Sequence, residues 1–145
     1  MTRNISRRSM LKGTAAVGAA SALPMMPFAA EAADEIIVGG LHDLSGFIDF
    51  AGIPMNQIML MAIEEINAAG GLLGKKLKGV VYDPQTKMPL YSQYATQLAL
   101  KDRASVVMGG ITSASRETIR PILHRYKTLY FYNTLYEGGV CDRNE

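Results

Sequence analysis

Between Val106 and Leu123 the sequence reads VVMGGITSASRETIRPIL. A short apolar run ends in Gly109 and Gly110. Thr112, Ser113, Ala114 and Ser115 then bring three hydroxyls and almost no side-chain bulk. Apolar positions at Ile119, Ile122, Leu123 and Tyr126 recur at helical spacing, so the small residues stand where a strand hands over to a helix. The first amides of a helix have no intrahelical acceptor. Ser113 or Ser115 can serve as the N-cap. Free amides beside a hydroxyl also form a receptor for a carbonyl or carboxylate oxygen, and small neighbours let a ligand approach the backbone closely.

A second polar cluster follows the next apolar run. In YNTLYEGG, Tyr132, Asn133, Thr134 and Tyr136 offer hydroxyls, an amide and aromatic faces. Aromatic walls with a few convergent polar groups are the usual make-up of a small-molecule pocket. Other chemistry is less well provided for. His42 and His124 have no second ligand at metal spacing, so no metal site is read. Met55, Met59 and Met61 read as core filler, and Lys75-Lys76 as a solvated turn. A Ser-His-Asp enzyme can be drawn from His42, Asp43 and Ser113, but no glycine elbow presents the serine as a nucleophile. GGITSAS lacks the lysine of a phosphate loop, and no cofactor motif is found.

The elements that must position these residues alternate. Glu35 to Leu41 reads as a buried strand, followed by the loop HDLSGFIDFAG from His42 to Gly52. Met55 to Ala69 carries an amphipathic helical stripe that Gly70-Gly71 stops. Leu77 to Tyr82 is a second strand. Asp83-Pro84 and Met88-Pro89 are expected to bracket a loop. Tyr91, Tyr94, Ala95 and Leu98 mark a second helix, Ser105 to Met108 a third strand, and Leu129 to Tyr132 a fourth. Pro121 lies inside the third helix and predicts a kink or an irregular first turn.

This order implies right-handed crossovers and an α/β fold: a parallel, Rossmann-like sheet with helices on both faces. Ligands then bind outside the carboxyl ends of the strands. Three loops meet there: His42 to Gly52, Gly109 to Ser115, and Asn133 to Gly139.

The 145 residues suggest at most one domain, and 48% hydrophobic with 19% charged residues describe a globular chain. The net charge of +2 does not signal nucleic-acid binding. Arg3, Arg7, Arg8 and Lys12 lie at the start; from Ala33 onward 11 basic and 12 acidic residues leave −1. Those early arginines belong to SRRSMLK, Ser6 to Lys12. A weakly apolar stretch from Gly13 to Ala30 follows, broken by Pro24 and Pro27, and Ala30-Glu31-Ala32 supplies a small-x-small cleavage pattern. This block, residues 1–32, resembles a twin-arginine export signal rather than a membrane anchor. Cys141, the single cysteine, suggests a partner elsewhere or a free thiol in an oxidising compartment.

IEEINAAGGLLGKKL, Ile63 to Leu77, with the loop LHDLSG, resembles the opening lobe of type I periplasmic binding proteins of the branched-chain amino-acid transporter family. GGITSASR and LYFYNTLYEGG are more specifically similar to the branch that binds urea and short-chain amides. The resemblance implies a two-lobed periplasmic protein that closes on a small solute and delivers it to an ABC permease in the inner membrane. Residues 33–145 would be the N-terminal part of the first lobe, truncated, with the second lobe absent. It also implies a ligand-holding serine at Ser113 with Thr112 and Ala114 beside it. Polar contacts fall at Tyr132 and Thr134, with Asn133 and Leu135 adjoining, and further ones at Ser45 with Phe47 or Phe50. Two alternatives stay open. An amino-acid binder of the same family would need an acidic partner for the ammonium, such as Glu137. A receptor's ligand-sensing domain is the other.

Overall fold

The computed structural model describes residues 35–138, so the arginine-rich leader, Gly139 and Cys141 lie outside the described residues. Seven elements alternate: β1 (Ile36–Leu41), α1 (Asp49–Ala68), β2 (Leu77–Tyr82), α2 (Met88–Leu100), β3 (Val106–Gly109), α3 (Ser113–Arg125) and β4 (Leu129–Phe131). All strand pairs are parallel, in the order β2-β1-β3-β4. Val38 is the junction of the register, facing Gly79 on one side and Val106 on the other.

Side chains alternate between the two faces of each strand, and the core divides accordingly. On one face Leu41 and Val107 pack with Tyr91, Ala95 and Leu98 of α2 and with Ile119 and Leu123 of α3. On the other, Val38 and Leu77 pack with Met59 and Ile63 of α1. Helices therefore cover both faces, as the alternation of elements predicts. Full burial of a side chain such as Leu98 stabilises by roughly 1.5–3 kcal/mol.

Four local expectations are corrected. The first helix begins at Asp49, six residues ahead of Met55, and carries Pro54 inside it. Its early start depends on Gly52, where a Cβ atom would stand 1.9 Å from the Asp43 carbonyl oxygen. Only glycine lets the first turns of α1 rest directly on the backbone of the preceding loop, so what reads as loop becomes helix. Met88-Pro89 does not close a loop; it opens α2, where a proline's missing N–H has no intrahelical partner to lose. The third helix has a regular first turn and passes Pro121, whose lost hydrogen bond falls at the carbonyl of Glu117. Finally, β3 is shifted one residue on and β4 stops at Phe131, which leaves Tyr132 free to act in the loop.

Candidate functional site

From β1 the chain crosses to β2 on one flank, and from β3 it crosses to β4 on the other. The connections diverge between β1 and β3, and this switch point opens a crevice at the carboxyl edge. Gly109 holds the two strand ends together there. Its φ is +134°, and a Cβ would lie 2.2 Å from the Leu41 carbonyl oxygen. The same carbonyl accepts from the amide of Gly110 at 2.9 Å.

The small-residue run divides its labour. Thr112, not Ser113 or Ser115, is the N-cap of α3: its Oγ1 accepts from the amide of Ser115 at 3.1 Å. Ser115 Oγ accepts from the amide of Thr112 at 3.1 Å and donates to the Thr112 carbonyl at 2.7 Å. This reciprocal capping box fastens the turn. Ser115 is fully buried by it. Ser113 and Ala114 are left exposed, in the first two helical positions, where amides precede any intrahelical acceptor.

Arg116, the next residue, clasps the loop after β4. Its Nη1 and Nη2 donate to the two oxygens of Glu137 at 3.0 and 2.8 Å, and its Nε donates to Glu117 at 2.9 Å. The guanidinium lies 5.1 Å from the ring centre of Tyr132 and 5.0 Å from that of Tyr136, within cation–π range. The Arg116 hydrogen bonds, with a smaller contribution from the Ser113 hydroxyl, hold the Glu137 carboxyl down to about 2. The Ile111 carbonyl joins both loops, accepting from the Tyr132 hydroxyl at 2.7 Å and from Thr134 Oγ1 at 3.4 Å. A cavity of about 460 Å³ opens here, lined by Ala51, Ile111, Asn133, Thr134 and Leu135. Two further hollows lie against the second half of α3, lined by residues such as Pro121, Arg125 and Lys127, away from this edge.

Thr112, Ser113, Ala114, Tyr132, Asn133 and Thr134 therefore gather around two adjoining loops. Ser45 lies elsewhere along the edge. Its Oγ donates to Asp83 at the end of β2, and its amide and that of Leu44 donate to the same carboxylate. Phe47 and Phe50 are exposed. His42 is fully buried, both ring nitrogens lack a hydrogen-bond partner, and burial pushes its pKa down to about 4. Asp43 takes the Tyr91 hydroxyl and the amide of Thr86. No hydrogen bond links His42 to Asp43 or Ser113, so these three do not form a nucleophile–base relay.

Sequence reasoning missed the Arg116–Glu137 pair, the joining role of the Ile111 carbonyl, and the Ala51 wall. The pair spans 21 residues and depends on the β4 loop folding back over α3. Its only sequence signal is an arginine immediately after the small residues and a lone acid in an aromatic loop.

An all-parallel sheet covered on both faces, with a crevice at its switch point, puts the chain among the α/β proteins that hold small molecules at a strand edge. More narrowly, the chain belongs to the periplasmic binding protein domain family, whose model matches residues 36–144. A twin-arginine translocation signal matches residues 4–24, and with the binding domain it marks the chain for export to the periplasm.

Over 86 residues the chain is 33% identical to the leucine-, isoleucine-, valine-, threonine- and alanine-binding protein of Pseudomonas aeruginosa, covering 59% of this chain and 23% of that one. It is similar to a branched-chain amino acid transporter substrate-binding protein from Streptococcus pneumoniae, solved with isoleucine. That match has a TM-score of 0.69 and 24% identity, and covers 72% of this chain and 30% of the other. At that identity the likeness shows the fold. A structure from Rhodopirellula baltica, described as a possible leucine/isoleucine/valine-binding protein, matches with a TM-score of 0.63 and 26% identity over 68% of this chain and 27% of the other. The chain thus spans 23–30% of the length of these relatives. They are binding proteins, not enzymes.

Proposed function

We propose that this chain belongs to the solute-binding component of an ABC importer, and that its solute is urea or a short-chain amide. Residues 33–145 serve as the N-terminal part of the first lobe and contribute one wall of the site. The observation that carries this reading is the capping of α3. Thr112 and Ser115 satisfy one another, so the exposed amides of Ser113 and Ala114 remain as donors at the switch point. They donate to the solute's carbonyl oxygen. Thr134, whose hydroxyl proton points to Ile111, accepts from the solute's amino group through its lone pairs. Tyr132, whose ring is covered on one face by Arg116, walls the site. Mismatched ligands are rejected because an unpaired buried polar group costs about 1–3 kcal/mol. Ser45, tied to Asp83, lies farther along the edge on the β1–β2 side.

A second reading is an amino-acid binder. The name of the Pseudomonas aeruginosa relative favours it. The engagement of Glu137 with Arg116 weighs against it, because that acid is not free to meet an ammonium. Isothermal titration of the whole protein with urea, acetamide and leucine separates the two. The expected result is binding of urea or acetamide, weakened about tenfold or more in Ser113→Ala, which removes the hydroxyl bonded to Glu137. Binding of leucine alone would replace this reading with the second.

A further inference from the structure

Resting on that reading of the site, we infer that Glu137 is a specificity-determining residue that keeps carboxylate ligands off the first turn of α3 and admits neutral carbonyl compounds. The first turn of a helix attracts anions, through its free amides and through the dipole behind them. Left to itself, the junction at Ser113 and Ala114 would favour a carboxylate over an amide. In this chain a fixed negative charge already stands there.

The charge is fixed by geometry. Glu137 meets Arg116 through two parallel hydrogen bonds of 2.8 and 3.0 Å, the two-pronged arrangement that binds a carboxylate most firmly. Arg116 is itself held by Glu117 and faces the rings of Tyr132 and Tyr136. Were Glu137 to swing away, the guanidinium would lose its strongest partner. The pair is also oriented: the Arg116 side chain is 6% exposed and the Glu137 side chain 53%. An incoming solute meets the carboxylate first, with the positive charge behind it.

Two consequences follow for the solute. A carboxylate is repelled by a like charge that the fold will not move aside, which is how a site rejects a competitor of the same shape. A carbonyl flanked by N–H groups has no such conflict, because it brings no negative charge and Glu137 is an acceptor only. The chemistry selected is a neutral carbonyl compound that carries its own donors.

Acetamide and acetate differ in charge but hardly in shape, and their affinity ratio reads the effect directly. The whole protein is titrated calorimetrically at pH 7 as wild type, Glu137→Gln, Glu137→Ala and Glu137→Asp, with circular dichroism to establish folding. The wild type is expected to prefer acetamide by about 100-fold or more. That preference should fall at least about tenfold in whichever of Glu137→Gln and Glu137→Ala folds, and persist in Glu137→Asp, which keeps the charge. An unchanged ratio in a folded, uncharged variant overturns the inference and leaves the site reading intact. Failure of the wild type to bind acetamide or urea overturns the site reading, and the inference with it.

Discussion

Two stretches of the same sheet edge carry similar densities of polar groups and use them in opposite ways. On the β1–β2 side, Asp43 and Asp83 receive the Tyr91 hydroxyl, the Ser45 hydroxyl and the amides of Leu44, Ser45, Thr86 and Gln85. The two carboxylates there are engaged, and His42 and the Thr86 hydroxyl are sealed beside them without a partner. On the β3–β4 side a capping box and an arginine clasp fix the backbone, yet Ser113, Ala114 and Asn133 remain exposed. The difference teaches that hydrogen-bonding capacity marks a ligand site only where the local structure is satisfied without it.

The contrast predicts that substitutions on the first side act on stability and those on the second on recognition. The largest effect is expected for Gly52→Ala. Its Cβ has no room against the Asp43 carbonyl, so α1 must lift from the loop, and a loss of about 3 kcal/mol or more should appear in guanidinium denaturation. A loss below about 0.5 kcal/mol would mean that the contact is soft and the first side is not rigid.

Next comes the pH dependence through His42. Its folded pKa of about 4 lies below the ordinary 6.5, so the folded state favours the neutral ring. The stability is fully present above pH 6.5 and is lost as pH falls toward 4, by up to about 3 kcal/mol. His42→Leu should abolish this slope. A slope that survives the substitution would assign it to other groups.

The smallest effect is expected for Arg116→Met on the open side. Glu137 titrates near 2 rather than 4.5, so its contribution is present above pH 4.5 and is lost as pH falls through 2. Removing Arg116 should flatten that acid limb and lower the thermal midpoint less than Gly52→Ala does, while weakening acetamide binding by loosening Tyr132 and Thr134. An acid limb as steep as the wild type's would show that the clasp does not persist in solution.

Much of this architecture was legible because it rests on short-range patterns. The strand at Leu77–Tyr82, the stripe through Tyr91, Ala95 and Leu98, and the alternation of elements all follow from periodicity. The errors arose where a distant contact overrode a local signal. Gly52 reads as a loop residue, yet the Asp43 backbone makes a helical glycine useful there. The cap at Thr112 was hidden among three hydroxyl residues with similar preferences, and the bond from the Ser115 amide to Thr112 Oγ1 distinguishes them. The meeting of the loops after β3 and β4 followed from topology. The Arg116–Glu137 clasp did not, because nothing in either segment alone specifies a partner 21 residues away.

The most direct measurement is amide NMR of the isotopically labelled protein as acetamide is added. If a neutral solute rests on the first turn of α3, the amide resonances of Ser113 and Ala114 should shift most, with Thr134 close behind and the internally bonded amide of Ser115 much less. Saturable shifts that spare Ser113 and Ala114 and cluster at Ser45 and Asp83 would contradict the account.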